Sequence, residues 1–332
     1  MNRINGLDGI RAFAVSMVVI SHFFEGSTNI RNLHLGHWGV MIFFVLSGFL
    51  VSRILFKKET TSKKTALKNF FVRRALRIFP LYFLSILVFS QIGIAFGPEL
   101  LYHLTYTTNF YILNHRGFLA PHFWSLAVEE QFYLILPFIL LFLTQKAIPT
   151  AILFLFSTGV FFRSHYFLAD MGTHDRLLWS NLDALGLGII LATHENNGIS
   201  TLQLFAITLM PIGISTLLGS SFLMVHYVIL ASTLFTILAI CNYQTSSSVR
   251  ILEYKPLKYI GVISYGIYVW HYLLWQNKDL FFPLTQALNQ IHPIMEFGHG
   301  NAIVIGTTTL FFSAASYELY EKRILKLKRH FH

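Results

Sequence analysis

Charged side chains are scarce in this chain. They make up 12% of its 332 residues, about half the share usual in water-soluble domains, and that shortage excludes an ordinary soluble fold. Cysteine is nearly absent as well. The single Cys241 can form neither an internal disulfide nor a thiolate metal site, and within its apolar run it reads as a packing residue. Long polar linkers, low-complexity tracts and internal repeats are also missing, so nothing separates a second unit. Residues 1–332 read as one membrane-embedded domain with no appended soluble domain. A cleavable leader is not expected, because Arg11 and His22 interrupt the first apolar run.

Apolar surface is abundant. Hydrophobic residues are 54% of the chain and aromatic residues 16%, with 33 phenylalanines, gathered in long blocks that require lipid as solvent. A window of about 19 residues marks ten spans, near residues 10–27, 38–56, 79–97, 122–144, 147–168, 179–194, 201–220, 223–242, 259–277 and 301–320. The fold class expected is therefore all-α: a polytopic membrane protein with about ten transmembrane helices in one bundle.

The formal charge of +10 does not point to nucleic acid, because the cations are concentrated between apolar blocks. Lys57, Lys58, Lys63, Lys64, Lys68, Arg73, Arg74 and Arg77 precede the third span, and Lys322, Arg323, Lys326, Lys328 and Arg329 follow the tenth. Both segments are expected in the cytoplasm. Only Arg31, Arg116, Arg163, Arg176 and Lys278 then lie outside, and an even number of spans puts both termini in the cytoplasm. The outer loops near 98–121 and 278–300 contain Pro98, Gly117, Pro121, Pro283 and Pro293 and read as ordered turns or re-entrant pieces.

Function is sought where ionisable groups enter apolar spans, since each costs about 2.5–3.5 kcal/mol at the bilayer centre unless paired or hydrated. Arg11 and His22 are eleven residues apart, which returns to within roughly 20° of one helix face about 16 Å along the axis. Arg11 also fits a residue that snorkels to the interface. In HFWSLAVEEQF, Glu129 and Glu130 sit inside the fourth span. A Glu129–His22 pair at matched depth would give a carboxylate-oriented general base, while a helix-stapling salt bridge fits the same residues. Ser125 shares the Glu129 face. Arg73, Arg74 and Arg77 suit a polyphosphate arriving from the cytosol or anionic lipid head groups. Tyr265, Tyr268, His271 and Asp183 read either as helix glue or as substrate contacts. Ser47 in VLSGFL lacks a neighbouring base and reads as close packing beside Gly48. His34 and His37 are too few for a metal site, and no metal is expected.

These motifs together resemble the acyltransferase-3 family of integral membrane O-acyltransferases. LDGIRAFAVSMVVISHF at 7–23 carries its Arg-x10-His pattern as Arg11 and His22. FFVLSGFL at 43–50, RRALRIFPLYF at 73–83, HFWSLAVEEQFY at 122–133, SYGIYVWH at 264–271 and SYELYEKR at 316–323 follow in the family's order. The resemblance implies an acyl-coenzyme A donor, most often acetyl-coenzyme A, and an acceptor hydroxyl on a cell-surface glycan, lipopolysaccharide or related sugar. It points to Arg11 and to Arg74 and Arg77 for the donor, with Arg73 of the same basic cluster added to that set. It also points to His22, Glu129 and Glu130 for catalysis and to Trp124, Ser125 and Asp183 for substrate, to which Tyr268 and His271 are added as polar residues in the outer half of the ninth span. In WSNLDALGLG, Asn181 stands where that family has arginine, which weakens the assignment of Asp183.

Direct transfer and an acyl-His22 intermediate both remain open, as do an oligomer or a separate periplasmic partner. The competing reading is a transporter or flippase for a sugar or lipid-linked substrate. It would call for paired broken helices or inverted repeats.

Overall fold

The computed structural model describes residues 4–56, 62–92, 94, 96–196, 198–283, 286 and 299–331. Lys57, Lys58 and the loop around Pro293, read above as topogenic and turn-forming, lie outside the described residues. Regular structure among the described residues is helical. The longer helices in chain order are α1 (Leu7–Phe23), α2 (Leu35–Phe56), α3 (Lys63–Gln91), α4 (Trp124–Phe142), α5 (Ile148–Leu168), α6 (Leu182–Glu195), α7 (Thr201–Leu217), α8 (Ser221–Asn242), α9 (Lys255–Val262), α10 (Ser264–Gln276) and α11 (His299–Ser316). Local chemistry starts several of them. The Ser62 and Ser220 hydroxyls accept from the Thr65 and Leu223 amides, and Ser200 with Gln203 forms a full capping box.

The all-α class agrees with the sequence, but the count of ten spans does not. Among the described residues, five helices are long and apolar enough to cross a membrane: Thr28–Phe56, Pro121–Phe142, Ile148–Leu168, Ser221–Asn242 and Gly300–His330. A hydropathy window cannot distinguish apolar residues that meet lipid from those that meet protein. Helix α6 has only 14 residues, roughly 21 Å, and is buried from Leu182 through Thr193, so its apolar character belongs to a protein core. Helix α1 has 17 residues and includes Asp8 and Arg11. The first half of α3 is strongly basic. The ninth expected span is divided at Ile263 into α9 and α10.

The molecule is a polytopic membrane protein, with large apolar side chains such as Phe154, Leu202, Leu217 and Phe311 turned outward. Its centre is the crossing of α2 and α6. A Cβ on Gly48 would lie 2.1 Å from the Leu185 carbonyl oxygen, and one on Gly188 would lie 2.2 Å from that of Val45. Only glycine permits that approach. Helix α1 packs on α2 in the opposite direction: Gly36 meets Ser21, and Gly39 meets the Ala14 carbonyl. This register places Ser47 eleven residues beyond the level of Ser21 and His22, roughly 16 Å along the axis.

Candidate active site

A cavity of about 300 Å³ opens between α1, α2, α3, α4 and α10. One end is cationic, lined by Arg11, Arg73, Arg74, Arg77 and Lys328. Arg74 and Arg77 stand one turn apart on α3, so both guanidinium groups can face the same space. Arg11 is held by Asp8 at 2.5 Å. Arg74 lies over the rings of Tyr133 and Phe70, at 4.9 and 5.8 Å from their centroids. Pro80 follows within α3.

The cavity wall also carries Ser47 and Glu129, level with Arg11, and farther along Ser125 and Tyr268. The Ser47 hydroxyl donates to Glu129 Oε1 at 2.7 Å, and the Tyr133 hydroxyl donates to Glu129 Oε2 at 3.1 Å. Ser47 therefore does have a carboxylate neighbour, contributed by a helix 82 residues away in sequence. Local reading of VLSGFL could not reveal it. The Tyr268 hydroxyl lies 2.6 Å from Ser125 Oγ and 2.7 Å from the His122 carbonyl oxygen. Because a carbonyl can only accept, Tyr268 donates to His122 and Ser125 donates to Tyr268. The Ser125 lone pairs remain available to the deep end of the cavity.

His22 does not line the cavity; it is half-buried against His271, one helical turn beyond Tyr268 on α10. Its Nδ1 lies 2.9 Å from His271 Nε2, and the two rings stack with centroids 5.1 Å apart. On the other side of His271, Nδ1 faces the carbonyl oxygens of Tyr268 and Ile267 at 2.7 and 3.1 Å. Those carbonyls require a proton on His271 Nδ1, which leaves its Nε2 as an acceptor. His22 Nδ1–H must then be the donor, and the free lone pair of His22 sits on Nε2. This arrangement fixes a tautomer and leaves a proton acceptor.

The structure does not bring His22 and Glu129 into a hydrogen bond. Glu129 is joined to Ser47, whose level is roughly 16 Å from that of His22, so a depth counted from the start of the fourth span was misleading. Glu130, one residue on, is rotated about 100° away. Its Oε1 is buried without a hydrogen-bond partner among the described residues. Asp183 does not line the cavity. It is fully buried and paired with Arg163, and its oxygens also accept from His226 Nε2 at 3.0 Å and the Ala184 amide at 2.7 Å. Asn181 accepts from Arg163 Nη2 at 2.9 Å, so the arginine absent from position 181 is supplied by α5. His37 extends this cluster through His226 at 3.0 Å.

Trp124 carries a cation that the sequence did not single out: the Arg176 guanidinium sits 5.9 Å from its ring centroid. Burial holds Arg176 below its ordinary value, opposed by the charge of Asp175. Lys328, read as one topogenic charge among several, also proves to be a cavity residue. Among the described residues no group of three or more His, Cys, Asp or Glu side chains is arranged to hold a metal ion.

The family described as an acyltransferase domain matches residues 4–317. An O-acetyltransferase OatA of Staphylococcus aureus (strain NCTC 8325 / PS 47) is 31% identical over 310 residues, which cover 80% of this chain and 50% of that protein. The peptidoglycan O-acetyltransferase OatA of Listeria monocytogenes serovar 1/2a is 29% identical over 366 residues, covering 96% of this chain and 55% of that protein. The chain thus spans about half the length of these curated relatives. No solved structure matches it.

Proposed function

The chain belongs to the acyltransferase-domain family that matches residues 4–317, and from that membership we propose that it transfers an acyl group, acetyl foremost, from acyl-coenzyme A to a sugar hydroxyl of a cell-envelope glycan. The observation that carries this reading is one cavity with a cluster of cations at one end and a tautomer-fixed histidine behind the other. The donor's phosphates would be gripped by Arg11, Arg73, Arg74 and Arg77, where guanidinium forks match phosphate oxygens. Its pantetheine arm would pass Ser47 and Glu129 and present the thioester beyond Ser125 and Tyr268. The basic end of α3 would face the cytoplasm of a bacterial inner membrane, where acyl-coenzyme A is made, and the His22 end would face outward.

In the chemical step, His22 Nε2 removes the proton of the acceptor hydroxyl as its oxygen attacks the thioester carbonyl. Collapse of the tetrahedral intermediate breaks the C–S bond, and the proton passes from His22 to the departing thiolate. His271 holds the opposite nitrogen throughout. Peptidoglycan is the acceptor class to test first, since the Listeria relative is named for it.

The test is acetyl transfer by the purified protein in liposomes, with radiolabelled acetyl-coenzyme A inside and soluble peptidoglycan fragments outside. His22→Gln should retain less than about a hundredth of the wild-type rate. Arg74→Ala and Arg77→Ala should raise the donor KM more than they lower kcat, because remote phosphate contacts contribute largely uniform binding. A His22→Gln variant that keeps more than a tenth of the activity would remove His22 from the chemistry.

A further inference from the structure

Helix α11 and the residues after it form one helical run, Gly300–His330, that is longer than a single crossing requires. It does not continue as a uniform α-helix. Residues Tyr317–Glu321 form a π turn, whose extra residue rotates everything that follows relative to the helix before it. Beyond the turn the tail is strongly basic, and its exposure is uneven. Lys326, Arg329 and His330 are exposed, whereas Lys328 is half-buried and lines the cationic end of the cavity. Arg73 Nη1 donates to the Phe331 carbonyl oxygen at 3.3 Å, so the tail lies against the early, basic part of α3. Arg73 precedes Arg74 and Arg77 along that helix, which makes this the outermost level of the cationic end.

The charges there are unbalanced. Arg11 is compensated by Asp8, but among the described residues Arg73, Arg74, Arg77 and Lys328 have no carboxylate within ion-pair distance. Glu129 on the same cavity wall is close enough to Arg74 and Arg77 to feel their charge, but one carboxylate does not balance four converging cations, which are costly in a largely apolar site unless a polyanion arrives. Coenzyme A carries about two negative charges on its diphosphate bridge and about two more on its 3′-phosphate. The second pair belongs to the ribose, at the end of the molecule opposite the thioester. With the thioester near His22, the 3′-phosphate stays at the cavity mouth, beside Lys328. An ammonium on a flexible stem suits a terminal phosphate at an entrance, where a guanidinium fork is not needed.

We infer that Lys328 is a donor-binding residue that recognises the 3′-phosphate of coenzyme A, held in position by a C-terminal tail docked on α3. The inference rests on the acyl-coenzyme A reading above and adds a specificity to it: the protein distinguishes coenzyme A from donors that have the same thioester arm without the third phosphate.

The experiment compares coenzyme A with 3′-dephospho-coenzyme A, both as ligands of the detergent-purified full chain and as acetylated donors. The wild-type protein should favour the 3′-phosphorylated form by about tenfold or more, the scale of a hydrogen bond to a charged group. In Lys328→Gln that ratio should fall close to one, and in Lys328→Arg it should largely survive. Arg329→Gln, which removes an exposed charge of the same tail, should leave the ratio as it was. A ratio unchanged in Lys328→Gln, or lowered equally by Arg329→Gln, would overturn the inference. Binding of neither compound by the wild-type protein would instead overturn the acyl-coenzyme A reading.

Discussion

His22 Nδ1 donates to His271 Nε2 at 2.9 Å, so the residue that orients the His22 ring is a second neutral imidazole and not a carboxylate. The proton on His271 Nδ1 is anchored by backbone carbonyls of its own helix. Side-chain substitutions elsewhere therefore leave the tautomer in place, and the pair depends on position 271 itself.

Replacing His271 with Leu should lower kcat about 10- to 100-fold, the range seen when an orienting hydrogen-bond partner is lost, with little change in donor KM. Gln at the same position can offer its amide oxygen near the site of the lost Nε2 and should recover much of that loss. Steady-state kinetics on both variants checks this, and equal activity of His271→Leu and wild type would make the imidazole pair incidental.

The Asp183 cluster predicts a failure of folding and not of chemistry. Asp183→Asn leaves the Arg163 guanidinium buried without a countercharge, a change worth about 3–5 kcal/mol. The variant should melt at a lower temperature in detergent and accumulate poorly, while the molecules that remain folded keep a normal donor KM. Replacing both partners with apolar residues, Arg163→Met with Asp183→Leu, should restore much of the stability. If Asp183→Asn folds normally and loses only acceptor affinity, Asp183 contacts substrate after all.

Orientation can be read by thiol labelling. Lys64 and Asn114 are both exposed, one ahead of Arg73, Arg74 and Arg77 and the other in the segment that leads to Trp124. In a Cys241→Ser background, an impermeant maleimide should label Asn114→Cys once the outer envelope is opened. Lys64→Cys should label only after the inner membrane is lysed. The reverse pattern would turn the cationic end outward, where acyl-coenzyme A is not available.

What could be read from the sequence was mostly what lies within one helix. Arg11 and His22 share a face, and Arg74 and Arg77 lie one turn apart, because the period of the α-helix decides both. Partners across helices were out of reach: His271 lies 249 residues from His22, and Glu129 lies 82 residues from Ser47. The number of spans was misjudged for a related reason. The apolar run of α6 satisfies other helices, and hydropathy records the run without its surroundings. Lys328 was hidden by its neighbours, since nothing local distinguishes one lysine of a basic tail from the next until the tail is packed against α3.

The glycine contact between α2 and α6 bears on how such a cavity can diversify. At Gly48 and Gly188 each backbone rests against a carbonyl of the other helix, so the wall that carries Ser47 can neither slide nor roll without breaking its crossing. Helix movement that widens the cavity must therefore come from the facing helices, α3, α4 and α10, whereas α2 can add space only through a smaller side chain at a position such as Val40 or Phe43. Substitutions that change acyl-chain preference should appear at such positions as Leu126 and Tyr268, beside Ser125, leaving the glycine-locked side as the fixed jaw of the vice.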